Sequence, residues 1–436
     1  MKKLNILFAA VAVFATAVCA DAQKRSEVKD HLQNHFKFYG FIRTYAPFDT
    51  HESTAGSGDL YYWVPKDREL NNAGEDINQT NSFRFLALTS RLGVDVNGYK
   101  VGDNEFGAKV ETDFYAGLSG STGAATLRLR QAYMTLKWTN PEDSKYTINF
   151  KAGQAWHPMA ADLPDIFSLD SGMPFGPFSR TPQFTTDFNF GGFSMTASAL
   201  WQMQYISAGP DGASANYIRN SCTPEFYFGL NYAKGGFLGR IGVDVNSIKP
   251  RNVATIYAGS AQEDKVKVKD RYTSILGFAY LQYTKNLFKF KAKTVYGGGG
   301  EHINLMSGYA VTSMSASNDL WEYAPIRTSS SWVTFAYGKK VQGSILLGYV
   351  KNLGTSKDIV DASHIYFQKN GSANIGQMYR IQPEITYNVG KFTFGLEYML
   401  TGVQYGSKSY NKRALATEDL HWVANNRIQG LVKFSF

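Results

Sequence analysis

Hydrophobic residues recur at every second position through long segments of this chain, and that period confines those segments to extended strands. In residues 104–117, Phe106, Ala108, Val110, Thr112 and Phe114 share one face, opposite Lys109, Glu111 and Asp113. In 192–205, Phe193, Met195, Ala197, Ala199, Trp201, Met203 and Tyr205 oppose Ser194, Thr196, Ser198, Gln202 and Gln204. In 391–401, Phe392, Phe394, Leu396, Tyr398 and Leu400 oppose Thr393, Gly395 and Glu397. Each segment therefore carries one apolar and one polar face. A soluble sandwich alternates in the same way, but its strands average about 5–6 residues. These runs reach the roughly 9–11 residues that a tilted strand needs to cross a bilayer.

Short turns and long polar stretches alternate between the segments. Turn chemistry falls at Asn97-Gly98, Asn140-Pro141-Glu142-Asp143, Gly191-Gly192, Gly235-Gly236, Lys285-Asn286, Gly338-Lys339 and Val389-Gly390, where Gly or Asn supplies positive φ. Long stretches occupy 47–80, 117–125, 157–181, 207–223, 247–269, 297–329, 351–374 and 402–425. This punctuation predicts an all-β fold: a transmembrane antiparallel β-barrel of about 16 strands, with short periplasmic turns, long extracellular loops and both termini on the short-turn side. Aromatics near segment ends (Phe36, Phe38, Trp138, Tyr146, Tyr205, Phe226, Tyr398, Phe436) suit an interfacial girdle.

The chain opens like an export signal. Lys2 and Lys3 precede an apolar run from Leu4 to Val18, and Ala20-Asp21-Ala22 offers a small-x-small cleavage site. A lipoprotein signal using Cys19 is the rival, with Val18 a poor fit before it. The expected organisation is a signal peptide at 1–22, a short periplasmic segment at 23–34 and a barrel at 35–436. Cleavage leaves Cys222 as the one remaining cysteine, so no internal disulfide is available. No later segment is long and apolar enough for a transmembrane helix.

Motifs for chemistry are few. HExxH, GxxxxGK[ST] and GxSxG are absent, and Gly297–Gly300 is a glycine run without the dinucleotide fingerprint. His31 and His35 share helical spacing, while His302, His364 and His421 fall in separate long stretches. No catalytic residue, metal site or cofactor is expected. The net charge of +9 is spread along the chain instead of gathered in one basic patch, which argues against nucleic acid.

If apolar faces meet lipid, the polar faces line a lumen. Its basic candidates are Arg43, Arg91, Lys109, Lys151, Arg240, Lys289, Lys291, Lys293, Arg380 and Lys433. The acidic ones are Asp95, Glu111, Asp113, Asp187, Asp244, Glu384 and Glu397. Lys289, Lys291 and Lys293 form a ladder on one face, and fixed positive charge in a narrow pore favours anions. Arg128 and Arg130 share the parity of lipid-facing Ala132, Met134, Leu136 and Trp138. A β-bulge near Gln131 returns them to the lumen, and a subunit interface is the other way to accept them. The third long stretch, 157–181, combines Leu163, Ile166, Phe167, Leu169, Met173, Phe175 and Phe178 with Asp162, Asp165 and Asp170. So apolar a loop must pack somewhere. It is expected to fold into the barrel as a constriction, its aspartates facing wall arginines; packing on other loops or a neighbouring subunit is the alternative.

The opening strand Phe36-Lys37-Phe38-Tyr39-Gly40-Phe41-Ile42-Arg43, together with Leu129-Arg130-Gln131-Ala132-Tyr133 and Ala152-Gly153-Gln154-Ala155-Trp156, resembles DcaP-like outer-membrane porins. The resemblance implies a trimeric 16-stranded porin admitting small, often anionic, organic solutes, with Arg43, Arg130 and the third loop as channel elements. The family's longer helical segment before the barrel is shortened here to 23–34, so a coiled-coil tether is not expected. The Ala-x-Ala-Gln start is similar to that of exported Bacteroidetes proteins. The terminal Phe436, after Ile428, Val432 and Phe434 on one face, resembles the signal read by barrel-assembly machinery. Expected partners are thus outer-membrane lipid, anionic solutes, that machinery and two further copies of the chain. A barrel enzyme losing turnover with one Ser, His or Asp, or a loop-based receptor or adhesin, is the competing reading.

Overall fold

The computed structural model describes residues 35–56, 61–87, 89–115 and 125–436. The leader at 1–22, the segment 23–34 with His31, and most of the second long stretch lie outside these residues.

Sixteen antiparallel strands, from Phe36–Asp49 to His421–Ser435, close into one transmembrane barrel. Phe41 closes the seam, pairing with Arg91 on one side and Ser435 on the other. Closure leaves no free sheet edge, so strand backbone groups find partners without water. Three short strands, Ser82–Phe83, Gly308–Met314 and Ile365–Phe367, extend the sheet on the long-loop side.

The barrel is apolar outside and polar inside. Along Phe392–Tyr405, Phe394, Leu396 and Tyr398 are exposed at 38–56%, whereas Glu397, Thr401 and Val403 are buried. That pattern is a water-soluble sheet turned inside out, as a lipid solvent requires. Aromatics crowd the short-turn rim: Phe38, Tyr146, Phe190, Phe193, Tyr283, Phe288, Tyr337, Tyr387 and Phe436 all face outward there.

One turn assignment is corrected. Asn97-Gly98 lies inside the strand Arg91–Val101, and the hairpin turns at Gly102-Asp103. The pairing with Asn104–Tyr115 shifts register between Val96 and Tyr99, with Gly98 at φ +83°. Asn-Gly supplied positive φ to a bulge instead of a turn. A second bulge lies in Thr126–Thr139, where Glu111 pairs with Gln131 but Thr112 pairs with Leu129. Arg130 is the extra residue. Leu127 and Leu129 face outward, while Arg128, Arg130 and Gln131 turn inward.

Candidate functional site

The lumen is not an open tube. Residues 157–179 leave the strand Tyr146–Trp156 and fold into the barrel, where Met159, Met173 and Phe175 are fully buried. They pack with Trp332, Leu346, Val350 and Met378 of the far wall. Two wall glycines make room for this loop's rings. A Cβ on Gly348 would lie 2.5 Å from the Phe175 ring, and one on Gly395 2.7 Å from the Phe167 ring.

Polar ties fix the same segment to the wall along most of its length. Arg240 Nε lies 3.3 Å from Asp162. Lys289 and Lys291 share Asp165 at 3.2 and 3.0 Å. Lys293 Nζ donates to the Met159 and Asp162 carbonyls at 2.8 and 2.6 Å. Arg380 pairs with Asp170 and donates to the Met173 carbonyl at 3.0 Å. Glu384 accepts the Phe167 N–H at 2.8 Å, and the Tyr45 hydroxyl donates to the Phe167 carbonyl at 3.0 Å. The lysine ladder and Arg380 thus hold the loop, and its aspartates contact wall cations directly. Lys293, Arg380, Asp244 and Glu397 point into the barrel yet are at most 3% exposed, beneath the loop layer.

A second segment also turns inward, although its long polar stretch predicts an ordinary outer loop. Ile303, Leu305 and Met306, after the strand Phe288–Gly298, are buried against the first loop. Phe178 N–H donates to the Ile303 carbonyl at 2.8 Å. The first long loop adds Trp63 and Val64 to this layer, and the Trp63 carbonyl accepts from Arg380 at 3.3 Å. The signal was present as the run Ile303-Asn304-Leu305-Met306, diluted in a long polar stretch.

The first four barrel strands and the last carry a basic wall of their own. Arg130 bridges Glu111 at 2.7 Å and Asp113 at 2.6 Å. Arg128 grips Asp113 through two bonds of 2.8 Å. Arg91 lies 3.5 Å from Glu111, and Lys109 2.8 Å from Asp95. Arg43 donates to Thr89 at 2.9 Å and stacks on Phe41 and Tyr45. Lys433 lies over the other part of that seam, 5.9 Å from the Phe41 ring. Arg43, Arg91, Lys109, Arg128, Arg130 and Lys433 thus face three carboxylates, Asp95, Glu111 and Asp113. Lys151 lies over Tyr133 at 5.4 Å, lining a 230 Å³ recess with Asp187, which accepts from Thr196 at 2.5 Å.

Arg180 stands at the junction of the loop 157–181 and a wall strand, where alternation gives no sign of its inward aim. It begins the strand Arg180–Phe190, stacks on Trp156 at 5.1 Å and donates to Gln204 at 3.1 Å. With Arg128, Gln154 and Tyr205 it lines a 620 Å³ cavity on the long-loop side. The outer loops hold their own charges. Hydrogen bonds from Ser363 and His364 keep the Asp361 carboxyl down at about 2. His302, His364 and His421 do not meet: their partners are Glu225, Asp361 and Asp67.

A closed barrel with short turns at one rim, long loops at the other and a loop folded into its lumen has the architecture of a porin. No protein-family model matches the sequence, and no curated protein matches it. Among solved structures it is similar to the outer membrane channel DcaP of Acinetobacter baumannii, at 18% identity over 92% of this chain and 97% of that one, TM-score 0.59. It is similar to an anion-selective porin from Comamonas acidovorans, at 11% identity over 92% and 99%, TM-score 0.53. OmpF of Salmonella typhi, in complex with daunomycin, gives 12% over 92% and 97%, TM-score 0.50. At these identities the likeness establishes the porin-type fold.

Proposed function

We propose that this chain is an outer-membrane porin, passing small hydrophilic solutes by diffusion with a preference for anionic organic solutes. The observation that carries the preference is the charge balance of the water path. Six cations of the basic wall oppose three carboxylates, and the loop's three aspartates are each matched by a wall cation. Positive surplus in a narrow, low-dielectric passage lowers the energy of an anion there and raises that of a cation. Solutes enter between the outer loops, cross between the basic wall and the loop layer, and leave on the short-turn side. Export through a cleaved signal at 1–22, trimer formation and recognition of Phe436 by assembly machinery belong to the same proposal. Anion selectivity in the Comamonas acidovorans porin and the channel role of DcaP accord with it.

The test is single-channel recording in a planar bilayer under a salt gradient. Steady conductance with a reversal potential toward that of chloride is the expected result. Absence of conductance from folded protein would overturn the porin reading; a cation-ward potential would overturn the preference alone.

A further inference from the structure

Where the two inward loops meet the barrel wall, five ionisable side chains are sealed together. His157 opens the first inward loop, and Glu301 and His302 lie in the second. Glu225 and Asp244 belong to the wall strands Glu225–Lys234 and Phe237–Ile248. All five are at most 2% exposed. His157 Nε2 lies 2.9 Å from Glu225 Oε1 and 3.7 Å from Asp244 Oδ1. His302 Nε2 contacts the same Glu225 oxygen at 2.9 Å. Among the described residues, no lysine or arginine forms an ion pair with any of the three carboxylates.

We propose that His157, Glu225 and Asp244 bind a divalent first-row transition ion, and that this ion staples the first inward loop to the wall. Three features carry the assignment. One ligand atom from each residue falls in a group no wider than 4.8 Å. Atoms bound at about 2.0–2.2 Å around a tetrahedral ion stand roughly 3.2–3.6 Å apart, which the 2.9 and 3.7 Å separations bracket. Second, the cluster holds oxygen lone pairs free to ligate: Glu225 Oε2, Asp244 Oδ1 and both Glu301 oxygens are buried and accept no hydrogen bond. Third, two imidazoles, even when both are protonated, leave one of the three buried carboxylates unbalanced, and a bound cation supplies that charge where a proton on the acid otherwise would. One imidazole with two carboxylates suits zinc and its borderline neighbours, not calcium or magnesium, which favour all-oxygen sets. His302 then acts as the outer partner that orients Glu225.

Coordination has a local consequence. His157 Nδ1 accepts the Met159 N–H at 3.2 Å, which places the ring proton on Nε2. A metal at Nε2 moves that proton to Nδ1 and ends the Met159 contact, so the loop's first turn reports occupancy.

The probes are zinc and cobalt added to full-length folded protein after chelation. The expected results are about one zinc per chain and visible cobalt d–d bands of a low-coordinate nitrogen–oxygen site. Glu225→Gln and Asp244→Asn should each weaken zinc binding at least about tenfold. Asp165→Asn, which touches only lysines and lies outside the cluster, should leave it unchanged. If the cluster variants fail to fold, the wild-type stoichiometry and cobalt spectrum decide. No stoichiometric metal overturns the proposal, and so does zinc retained undiminished in folded Asp244→Asn. Neither outcome depends on conductance, so this inference and the porin reading fail separately.

Discussion

Arg130 and Arg43 stand on the same wall but serve different ends. Arg130 is 6% exposed and is shared by two carboxylates. Arg130→Gln strips a cation from Glu111 and Asp113 while both remain buried. Arg128 still pairs with Asp113 and Arg91 with Glu111, so the cost stays below the about 3–5 kcal/mol of a buried acid left with no cation, and the urea midpoint of the folded barrel should fall. Arg43 has a hydroxyl and two rings as partners. Arg43→Gln orphans no acid, so stability should change by less than about 1 kcal/mol, while the reversal potential moves away from that of chloride. A reversal potential unchanged in Arg43→Gln would remove this residue from the selectivity argument. The inward turn of Arg128 and Arg130 was only half legible in sequence. Strict parity aims them at lipid, where an arginine costs roughly 2–4 kcal/mol at the midplane. One inserted residue, Arg130 beside Gln131, resolves the conflict; parity located the need for a bulge there but did not choose between a bulge and a subunit interface. Arg180 was illegible because it sits where a strand ends and parity stops informing.

Strands and loops differed in how openly the sequence announced them. Strand count, alternation and six of the seven turns follow from local chemistry, because period two and positive φ are properties of neighbouring residues. Asn97-Gly98 was misplaced because the same positive φ serves a bulge or a turn. The inward fold of 157–179 was readable from its excess of buried-type side chains; the inward fold near Ile303 was not, since four residues cannot dominate a stretch of thirty-three (297–329). Which wall a loop meets is a long-range matter, set here by glycine niches and ion pairs from distant strands. Those niches give a test. Gly348→Val fills the space of the Phe175 ring, pushes the loop toward the water path and should lower single-channel conductance. The pair Lys289→Gln and Lys291→Gln removes both cations from Asp165. It should loosen the loop's middle and increase open-channel current noise without abolishing the channel. Equal conductance in wild type and Gly348→Val would show that the water path runs elsewhere.

At the scale of the whole barrel, everything depends on one seam joining the first strand to the last. Phe436 exchanges two backbone hydrogen bonds with Gly40, at 3.2 and 3.1 Å. Its ring lies over Gly40 so closely that a Cβ there would come within 2.7 Å of it, and within 2.5 Å of the Arg91 carbonyl. Phe436 therefore covers the outer face of the seam, a contact separable from its proposed role as a mark read during assembly. Deleting Phe436 removes both, whereas Gly40→Val keeps the mark and disturbs the cover. Folding yield is read from the heat-sensitive mobility shift of the closed barrel, in cells and in purified lipid or detergent lacking assembly machinery. If recognition dominates, the deletion folds normally in the purified system and fails in cells, while Gly40→Val reaches the membrane. If the seam contact dominates, both variants fold poorly in both settings, because closure is the step that satisfies the backbone of the first and last strands. The seam geometry predicts that Gly40→Val is impaired in both settings. Normal yield for that variant would leave the proposed recognition as the role of Phe436.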